Sequence, residues 1–510
     1  MDANKMVSMN TERRLPWRAL APAALASLLL AGCMVGPDYH RPELAMADHY
    51  HSGAALGQLA SDGNADLARW WRGFDDPVLT RIVERVLAQN LDLEAAQARV
   101  IQARAAAGQA ATGWLPQGSL DGSVTEQRQS LVSPFGTVAS QFPGYKRNIT
   151  VEQIDVGASW ELDLAGGLHR QAEALRDEAD AAEASRMGTR VSVVAEAADA
   201  YFQLRSAQAA IVLLREQIDT DQAYVRVMDD RVHQGVALDR QRDDAEATLA
   251  QDRALLPGLR TLAERQRNRL DVLMGDAPGT NAAAIGDTPP DMWVSPGLPA
   301  DLRPADLLRR RPDVIAAERK LASSTAGIGA ALSQYYPDIS LSGLLGFDRM
   351  NNGSLFTARA FEPTALAGLH WRLFDFGRVD AEVAQARGRH AEALAVYRQA
   401  VLRAAEDVEN AVTDWAQIGA QRDELARQVE AEALAQRAAR DAYAQGDASL
   451  VEVLVEDQQW LSARGEQARL NADYARAAVA TFRSLGGGWT LPETAPAALA
   501  ASSRQDPPAP

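Results

Sequence analysis

Cysteine is almost absent from this chain, since Cys33 is the only one among 510 residues. A single thiol excludes an internal disulfide framework, a redox pair and any metal site built from several cysteines. Aromatic residues are also scarce, at 6% of the chain, whereas alanine dominates long stretches of it. This balance favours long, closely packed helices over a wide globular core.

Positive charge is also in short supply. The chain carries 52 Lys and Arg against 68 Asp and Glu, which gives a formal charge of −16. Such a chain repels a phosphate backbone, and no basic stripe offsets the repulsion, so we expect no nucleic-acid partner. Beyond the N-terminal region there is also no apolar run of about 18 residues, which excludes a transmembrane helix. Any segment that spans a membrane must therefore be a β-strand.

The sequence lacks a recognisable catalytic set. Glycine-rich stretches follow Asp163 and Asp375, but they have neither the lysine nor the full glycine spacing of a phosphate-binding loop. The closest histidine pair has no further metal ligands nearby, so a solvated loop is favoured over a metal site. We therefore expect no enzyme, no bound metal and no cofactor. The seven histidines are His40, His49, His51, His169, His233, His370 and His390.

The N-terminal residues have the pattern of a secretory signal. Arginines precede an apolar run from Ala19 to Leu30, and the small residues Ala31 and Gly32 follow. Leu-Ala-Gly-Cys at 30–33 resembles the bacterial lipobox, which implies that Cys33 becomes the first mature residue and carries covalent lipid. Three acyl chains, at ~0.8 kcal/mol per buried methylene, would anchor the protein stably. A short buried helix that ends in cysteine is the alternative.

Four landmarks recur at one fixed spacing along the chain. Each landmark and its counterpart are separated by 211 positions, which predicts two copies of one structural unit. Pro116 and Pro337 form a fifth pair separated by 221 positions, so the first copy has ten extra residues between that proline and its tryptophan. The four pairs are Trp160 with Trp371, Gly166 with Gly377, Gly235 with Gly446, and Gly275 with Gly486.

Within each copy the hydrophobic period changes from helix to strand and back. Asp76 and Pro77 begin a helix that we expect to run to about Gly113. Two-residue alternation then predicts a β-hairpin at about 117–162, and a second at about 337–374 that includes Trp371 and Leu373. After Gly166 and Gly377 come 69 positions without proline, enough for a helix of ~100 Å. A helix of about 40 positions should follow each tip, near 235 and near 446.

These signals divide the chain into six segments. The segment between the copies is rich in proline and glycine, and so is the C-terminal tail. We predict a signal peptide at 1–32, a lipidated N-terminal segment at 33–75, a first repeat at 76–275, a linker or equatorial segment at 276–300, a second repeat at 301–486 and a flexible tail at 487–510.

Four strands are too few to form a closed membrane wall. A sheet in hydrocarbon must close on itself, and even small barrels need about eight strands. Three copies of the chain would supply twelve strands, and their helices would continue the tube. A soluble α+β protein whose hairpins pack on helices remains the alternative.

Two blocks of motifs resemble the NodT and OprM group of outer-membrane factors, over nearly the whole mature chain. The first block comprises Gly36, Pro37, Asp38, Tyr39, Pro42, Trp70, Trp71, Phe74, Pro77, Asn90 and Arg99; the second comprises Leu308, Pro312, Asp313, Val314, Glu318, Gly329, Tyr336 and Pro337. The resemblance implies a TolC-like fold that is mainly α with a membrane β-barrel portion. It also implies a homotrimer with a twelve-stranded barrel in the outer membrane, long helical hairpins in the periplasm and an equatorial domain.

The same resemblance implies roles for particular residues. The helical tips would contact a periplasmic adaptor through Gly235, Val236 and Ala237, and through Gly446, Ala448 and Ser449. Glu452, with Glu456 and Tyr443, would ring a closed aperture, although a solvated helix face explains these acids equally well. Gly166 and Gly377 would be strand-to-helix junctions, where glycine permits the turn.

The function that the resemblance implies is passive export. The chain would be the exit duct of a tripartite, RND-type efflux system, for drugs or other small toxic compounds that an inner-membrane pump delivers through the adaptor. The alternatives are an exit duct for type I protein secretion and a periplasmic scaffold lipoprotein without a pore. The sequence leaves open the pump, the adaptor and the exported substrate.

Overall fold

A computed structural model describes residues 34–43, 47–60, 66–286, 294–299, 302–351 and 353–490. The predicted signal peptide, Cys33 and most of the predicted tail lie outside these residues. The chain divides into two compact units. The sheet unit contains residues 34–40, 103–178 and 321–393, and the helical unit contains the remaining described residues.

Helices dominate the described chain. In chain order they are α1 (Gly53–Leu59), α2 (Pro77–Gln89), α3 (Leu91–Ala111), α4 (Pro134–Ala139), α5 (Gly167–His233), α6 (Asp239–Leu273), α7 (Ala282–Ile285), α8 (Leu307–Arg310), α9 (Pro312–Ser333), α10 (Arg378–Gln445) and α11 (Leu450–Ser484). Two 3₁₀ segments, Leu67–Phe74 and Pro304–Asp306, lie between them.

The sheet unit is built on one antiparallel sheet of four strands in the order β1-β2-β3-β4. The strands are β1 (Gln117–Arg128), β2 (Asn148–Leu162), β3 (Asp338–Met350) and β4 (Phe361–His370). The first two strands come from the first copy of the repeat and the last two from the second. The register pairs Gln117 with Ser159, Leu162 with Ile339, and Asp338 with His370. The strands therefore join their flanking helices at one end of the sheet, and β1 and β4 are its edges.

The second hairpin is shorter than predicted, because β4 ends at His370 and leaves Trp371 and Leu373 outside the strand. The reason is the lack of a partner, since His370 pairs with Asp338, the first residue of β3. Trp371 instead donates its indole Nε1–H to the carbonyl of Tyr335 at 3.0 Å. Trp160 makes the matching bond to the carbonyl of Trp114 at 2.8 Å.

The spacing of 211 positions is also a spacing of structural elements. The starts of α5 and α10, the starts of α6 and α11, and the ends of α6 and α11 are each separated by it. The glycine pairs also share a left-handed backbone: φ is 74° and 84° at Gly166 and Gly377, 72° and 84° at Gly235 and Gly446, and 79° and 70° at Gly275 and Gly486. Only glycine adopts such angles readily, which explains why glycine stands at these places in both copies.

The single helix predicted from Asp76 to about Gly113 is wrong, because the chain breaks at Asn90 into α2 and α3. Asn90 is extended, with φ −68° and ψ 127°. Its side-chain oxygen accepts from the backbone N–H groups of Asp92 and Leu93, and its amide donates to the carbonyl of Leu273 at 2.9 Å. Asn90 thus caps the start of α3 and bonds the end of α6, and these hydrogen bonds offset the helical bonds lost at the break. Arg311 occupies the same place between α8 and α9.

A buried aromatic cluster lies in the helical unit. Trp70 stacks on Phe482, with ring centroids 5.5 Å apart and planes 4° apart, and Phe74 packs on Phe202 at 4.9 Å. Trp489 is also buried, and Gly488 donates its N–H to the carbonyl of Leu67. The prediction of a flexible tail is therefore wrong for residues 487–490, because Gly487 and Gly488 bond to Phe482 and Leu67 through their backbone and Trp489 is buried.

Candidate functional site

The first strand-to-helix junction is covered by the start of the described chain. Gly166 lies against Met34, and a Cβ at Gly166 would come within 2.7 Å of the Met34 Cγ. Val35 donates its N–H to the carbonyl of Ala165 at 3.1 Å. Glycine is therefore needed at this junction for two reasons, the left-handed turn and the close approach of the N-terminal residues.

Arg170, one turn into α5, fastens the same N-terminal residues. Its side chain is only 3% exposed and donates to Asp38 at 2.7 Å and to the carbonyl of Val35 at 3.2 Å. The hydrogen bond from Arg170, reinforced by its charge, holds the pKa of the Asp38 carboxyl below its usual value. We call this set of contacts the arginine clamp. In the second copy the residue 211 positions later is Ala381, so the clamp belongs to the first copy only.

The second junction is bare by comparison. A Cβ at Gly377 would meet, among the described residues, only the Asp380 carboxylate at 4.0 Å. Asp375 closes the turn by accepting from the N–H groups of Gly377 and Val379, and these bonds lower the pKa of its carboxyl. On either side of it, Phe374 is 88% exposed and Phe376 fully exposed. Phe376 also has φ 53°, a strained angle for a bulky residue.

The first helical tip is a short loop between α5 and α6. Gly235 turns the chain, and the N–H groups of Val236 and Ala237 both bond the carbonyl of Arg231, at 2.9 and 3.2 Å. These bonds satisfy the end of α5 as a glycine C-cap does. Val236 is exposed and Ala237 is half-buried. The open space around Gly235 shows that its left-handed angle, and not crowding, requires glycine there.

The second tip, between α10 and α11, repeats this geometry with a stronger cap. Asp447, after Gly446, donates its N–H to the carbonyl of Ala442 at 2.9 Å. Ser449 accepts from the N–H of Glu452 at 3.3 Å, and the Glu452 carboxylate accepts from the N–H of Ser449 at 3.0 Å. These two bonds form a capping box. Ala448 and Ser449 are half-buried.

The first tip has half of this cap. Leu238 and Gln241 stand 211 positions before Ser449 and Glu452. The Gln241 side chain accepts from the N–H of Leu238 at 3.1 Å, but leucine has no oxygen to return the bond. The two tips therefore differ in capping at positions 238 and 449 and in charge at positions 241 and 452.

The predicted aperture residues do not form one cluster through hydrogen bonds. Glu452 is exposed and bonded to Ser449, Glu456 is half-buried, and Tyr443 is exposed on the preceding helix. The roles proposed for the tips and the aperture stay predictions.

Sequence reasoning gave no role to Asp457. Its buried carboxylate accepts from Gln436 and from Arg440, both at 2.8 Å, and so ties α11 to α10. A signal was present, because Asp457 lies four residues after Val453 and four before Leu461, on the buried face of α11. An acid on a buried face needs such partners.

The described residues contain no helix that is both long enough and apolar enough to cross a membrane. They also contain no group of three or more His, Cys, Asp or Glu side chains placed to hold a metal ion. The side chains of the junctions and tips close turns and cap helices.

The fold is that of an outer-membrane channel. Aligned with the solved outer-membrane channel OprN, the chain has a TM-score of 0.77 at 33% sequence identity, over 90% of this chain and 100% of that one.

The family follows from the sequence match. The model of the outer membrane efflux protein family matches residues 82–276 and 304–487, and the chain belongs to this family. The chain is 29% identical to the pyoverdine export outer membrane protein OpmQ of Pseudomonas putida, over 82% of this chain and 88% of that protein. It is 28% identical to nodulation protein T of Rhizobium leguminosarum bv. trifolii, over 91% and 96%.

The comparisons confirm the resemblance drawn from the motifs. The protein is an outer-membrane efflux channel that extends into the periplasm.

Proposed function

We propose that three copies of this chain form the exit duct of a tripartite, RND-type efflux system. The observation that carries the proposal is the four-stranded sheet with two open edges, β1 and β4, in a chain of the outer membrane efflux protein family. Four strands cannot close a wall, and hydrocarbon offers no partner to an unpaired edge. Three sheets joined edge to edge give twelve strands, which is within the range of outer-membrane barrels.

The strand directions support this joining. Gln117 begins β1 at the same end of the sheet where His370 ends β4, so β4 of one copy runs antiparallel to β1 of the next. Antiparallel pairing is the rule in barrels of outer membranes.

For the exported substrate we propose a chemical class. OpmQ is named for pyoverdine export, whereas nodulation protein T is named for a different process, so similar ducts serve different cargoes. We propose small compounds, among them drugs, which an inner-membrane pump delivers through a periplasmic adaptor at the two kinds of tip. Lipid on Cys33 would anchor each copy beside its own strands.

Cysteine cross-linking tests the trimer. Because Cys33 is the only native cysteine, introduced pairs give a clean readout. We expect Ser123→Cys in β1 combined with a scan of cysteines along β4 to give oxidised species of two and three chains for the scan positions that face Ser123. The matched control is Ser159→Cys with Ser342→Cys, which pair within one sheet and should give no linked chains. A scan that gives monomer throughout, with light scattering of one chain in mild detergent, contradicts the proposal.

A further inference from the structure

Two acidic side chains meet inside the helical unit. Asp221 of α5 is 1% exposed, and its Oδ1 accepts from Gln217 at 3.1 Å and from Gln458 of α11 at 2.6 Å. Its other oxygen, Oδ2, is buried and has no hydrogen-bond donor among the described residues. A buried carboxylate oxygen without a donor is costly, so it calls for a partner.

Asp252 of α6 lies within hydrogen-bonding reach of the Asp221 carboxylate. It lines a cavity of about 970 Å³ together with Gln217 and Gln458, the two side chains that donate to Asp221. Burial, a hydrogen bond with Asp221 and the charge of Asp221 together raise the pKa of Asp252 to about 6. Two carboxylates in contact disfavour double ionisation, so Asp252 keeps its proton to a higher pH than an ordinary aspartate does.

Among the side chains that line this cavity, no free cation neutralises the negative charge of Asp221 and Asp252. The other charged side chains that line it are Glu432 of α10 and Glu466 and Arg469 of α11. Arg469 is already paired with Glu466 and, at 2.9 Å, with Asp473. The uncharged partners Gln217 and Gln458 both donate to Oδ1, which leaves Oδ2 for the proton.

We propose that Asp221 and Asp252 hold one proton between them and that this proton ties α5 to α6 and, through Gln458, to α11. Protonated Asp252 donates its O–H to Oδ2 of Asp221. When the proton leaves to water, two carboxylates face each other and the contact weakens. Because the pKa of Asp252 is raised while the contact with Asp221 is formed, a bound proton stabilises this contact at low pH. The stabilisation is lost as the pH rises through about 6.

The second copy shows what the pair adds. The residues 211 positions after Gln217, Asp221 and Asp252 are Gln428, Glu432 and Ala463. The second copy thus keeps the amide and the first acid and has alanine in place of the second acid. The proton-linked contact is a device of the first copy, and any effect on the duct rests on the function proposed above.

The experiment uses the full-length protein in detergent and has two readouts that depend on neither export nor oligomeric state. Hydrogen exchange, corrected for its intrinsic pH dependence, is measured from pH 5 to 8 in peptides that cover Asp221, Asp252 and Gln458. One released proton should raise the local opening equilibrium about tenfold per pH unit above the pKa. Infrared difference spectra should show a protonated carboxyl at pH 5 that is lost on the same pH scale.

Asp252→Asn should abolish both signals, because its amide still donates to Asp221 but cannot ionise. Asp252→Ala, which copies the second repeat, should also lose the infrared band and the pH step. Glu432→Gln is the matched control, and it should keep both signals. The proposal is overturned if the pH step survives in both Asp252 variants, or if wild type has no protonated carboxyl at pH 5. It is also overturned if Na⁺ or Ca²⁺ shifts the step, since the pair would then bind a cation.

Discussion

The two strand-to-helix junctions have the same backbone and different surroundings. Gly166 and Gly377 share a left-handed turn, yet the first junction is covered by Met34 and fastened by Arg170, whereas the second exposes Phe374 and Phe376. The turn is a property of the repeat, because both copies must pass from strand to helix at the same place. The cover is a property of the chain, because one N-terminus can serve only one of two copies.

The two tips show the same division. Their glycines and helix bounds correspond, but Ser449 and Glu452 complete a cap that Leu238 and Gln241 leave half-made. Duplication therefore preserved what the backbone requires and left the side chains around it free to diverge. A variant in one copy of the repeat can therefore be compared with a variant in the other copy.

Removing the lipid should have the largest effect on the first junction. We expect Cys33→Ala to abolish palmitate labelling completely, because the substitution removes the only thiol in the chain. The N-terminal residues 34–38 should then become more accessible to protease, while the second junction stays unchanged. Equal labelling of variant and wild type would refute the lipid anchor.

A bulky side chain at the tips should abolish efflux and leave the assembly intact. Ala237 and Ala448 are half-buried beside the turning glycines, and small side chains there allow a partner to approach closely. Ala448→Trp or Ala237→Trp should therefore block adaptor docking by steric clash. Drug susceptibility of cells measures efflux, and cross-linking of the duct measures assembly. Gln421→Trp, at an exposed site on α10, is the control that should retain efflux. Normal efflux in both tip variants would remove the tips from the docking surface.

Breaking the arginine clamp should have a moderate effect. Arg170→Ala removes the donor to the exposed Asp38 carboxylate and to the carbonyl of half-buried Val35. Loss of the bond to the Val35 carbonyl costs about 1–3 kcal/mol. Thermal unfolding and proteolysis of residues 34–43 measure the loss. Arg378→Ala is the control at the second junction, where Arg378 is exposed and paired with Glu382, and we expect a loss of less than about 0.5 kcal/mol there.

The clamp also has a defined pH dependence. Because the pKa of Asp38 is lowered in the folded protein, the clamp contributes its stability above the ordinary pKa of that carboxyl and loses it as the pH falls through the lowered value. The difference between wild type and Arg170→Ala should shrink in acid. A difference that is constant from neutral to acidic pH would assign the effect of the substitution to packing.

The sequence predicted the repeat and the long helices because glycine, proline and periodicity act locally. The 211-residue spacing came from four glycine and tryptophan pairs, and those residues do set the turns and the indole bonds. The break at Asn90 was missed, although its counterpart carried a signal. Pro312 follows Arg311, and the residue before a proline is held out of the helical region.

The missed features depend on contacts that are distant in sequence. Met34 meets Gly166 and Gln458 meets Asp221 only after folding, so no local pattern announces them. No local pattern singles out Asp221 or Asp252 among the acids of their helices. Asp221 is buried and accepts from Gln458 of α11, which lies 237 residues further along the chain. Local reasoning predicted where the chain turns, and tertiary packing decides which charged groups face each other.

Substitutions of Glu452 should have the smallest effect, and they distinguish two roles of this residue. This carboxylate closes the capping box with Ser449, and it is also the predicted charge at the aperture. Glu452→Ala removes both the cap and the charge, and it should cost about 1 kcal/mol from the cap. Glu452→Gln removes only the charge, because a glutamine at this position can still accept from the backbone, as Gln241 does in the first copy.

Three ionised copies of Glu452 around a narrow axis would repel one another and attract cations, so the charge would matter most in a closed trimer. If Glu452 gates the aperture, Glu452→Gln should change the ion conductance in planar bilayers as much as Glu452→Ala does, with thermal stability near that of wild type. If Glu452 only caps α11, the glutamine variant should match wild type in both measurements, and only the alanine variant should be less stable. Gln241→Ala should show the capping cost alone, because the first tip has no charge at this position.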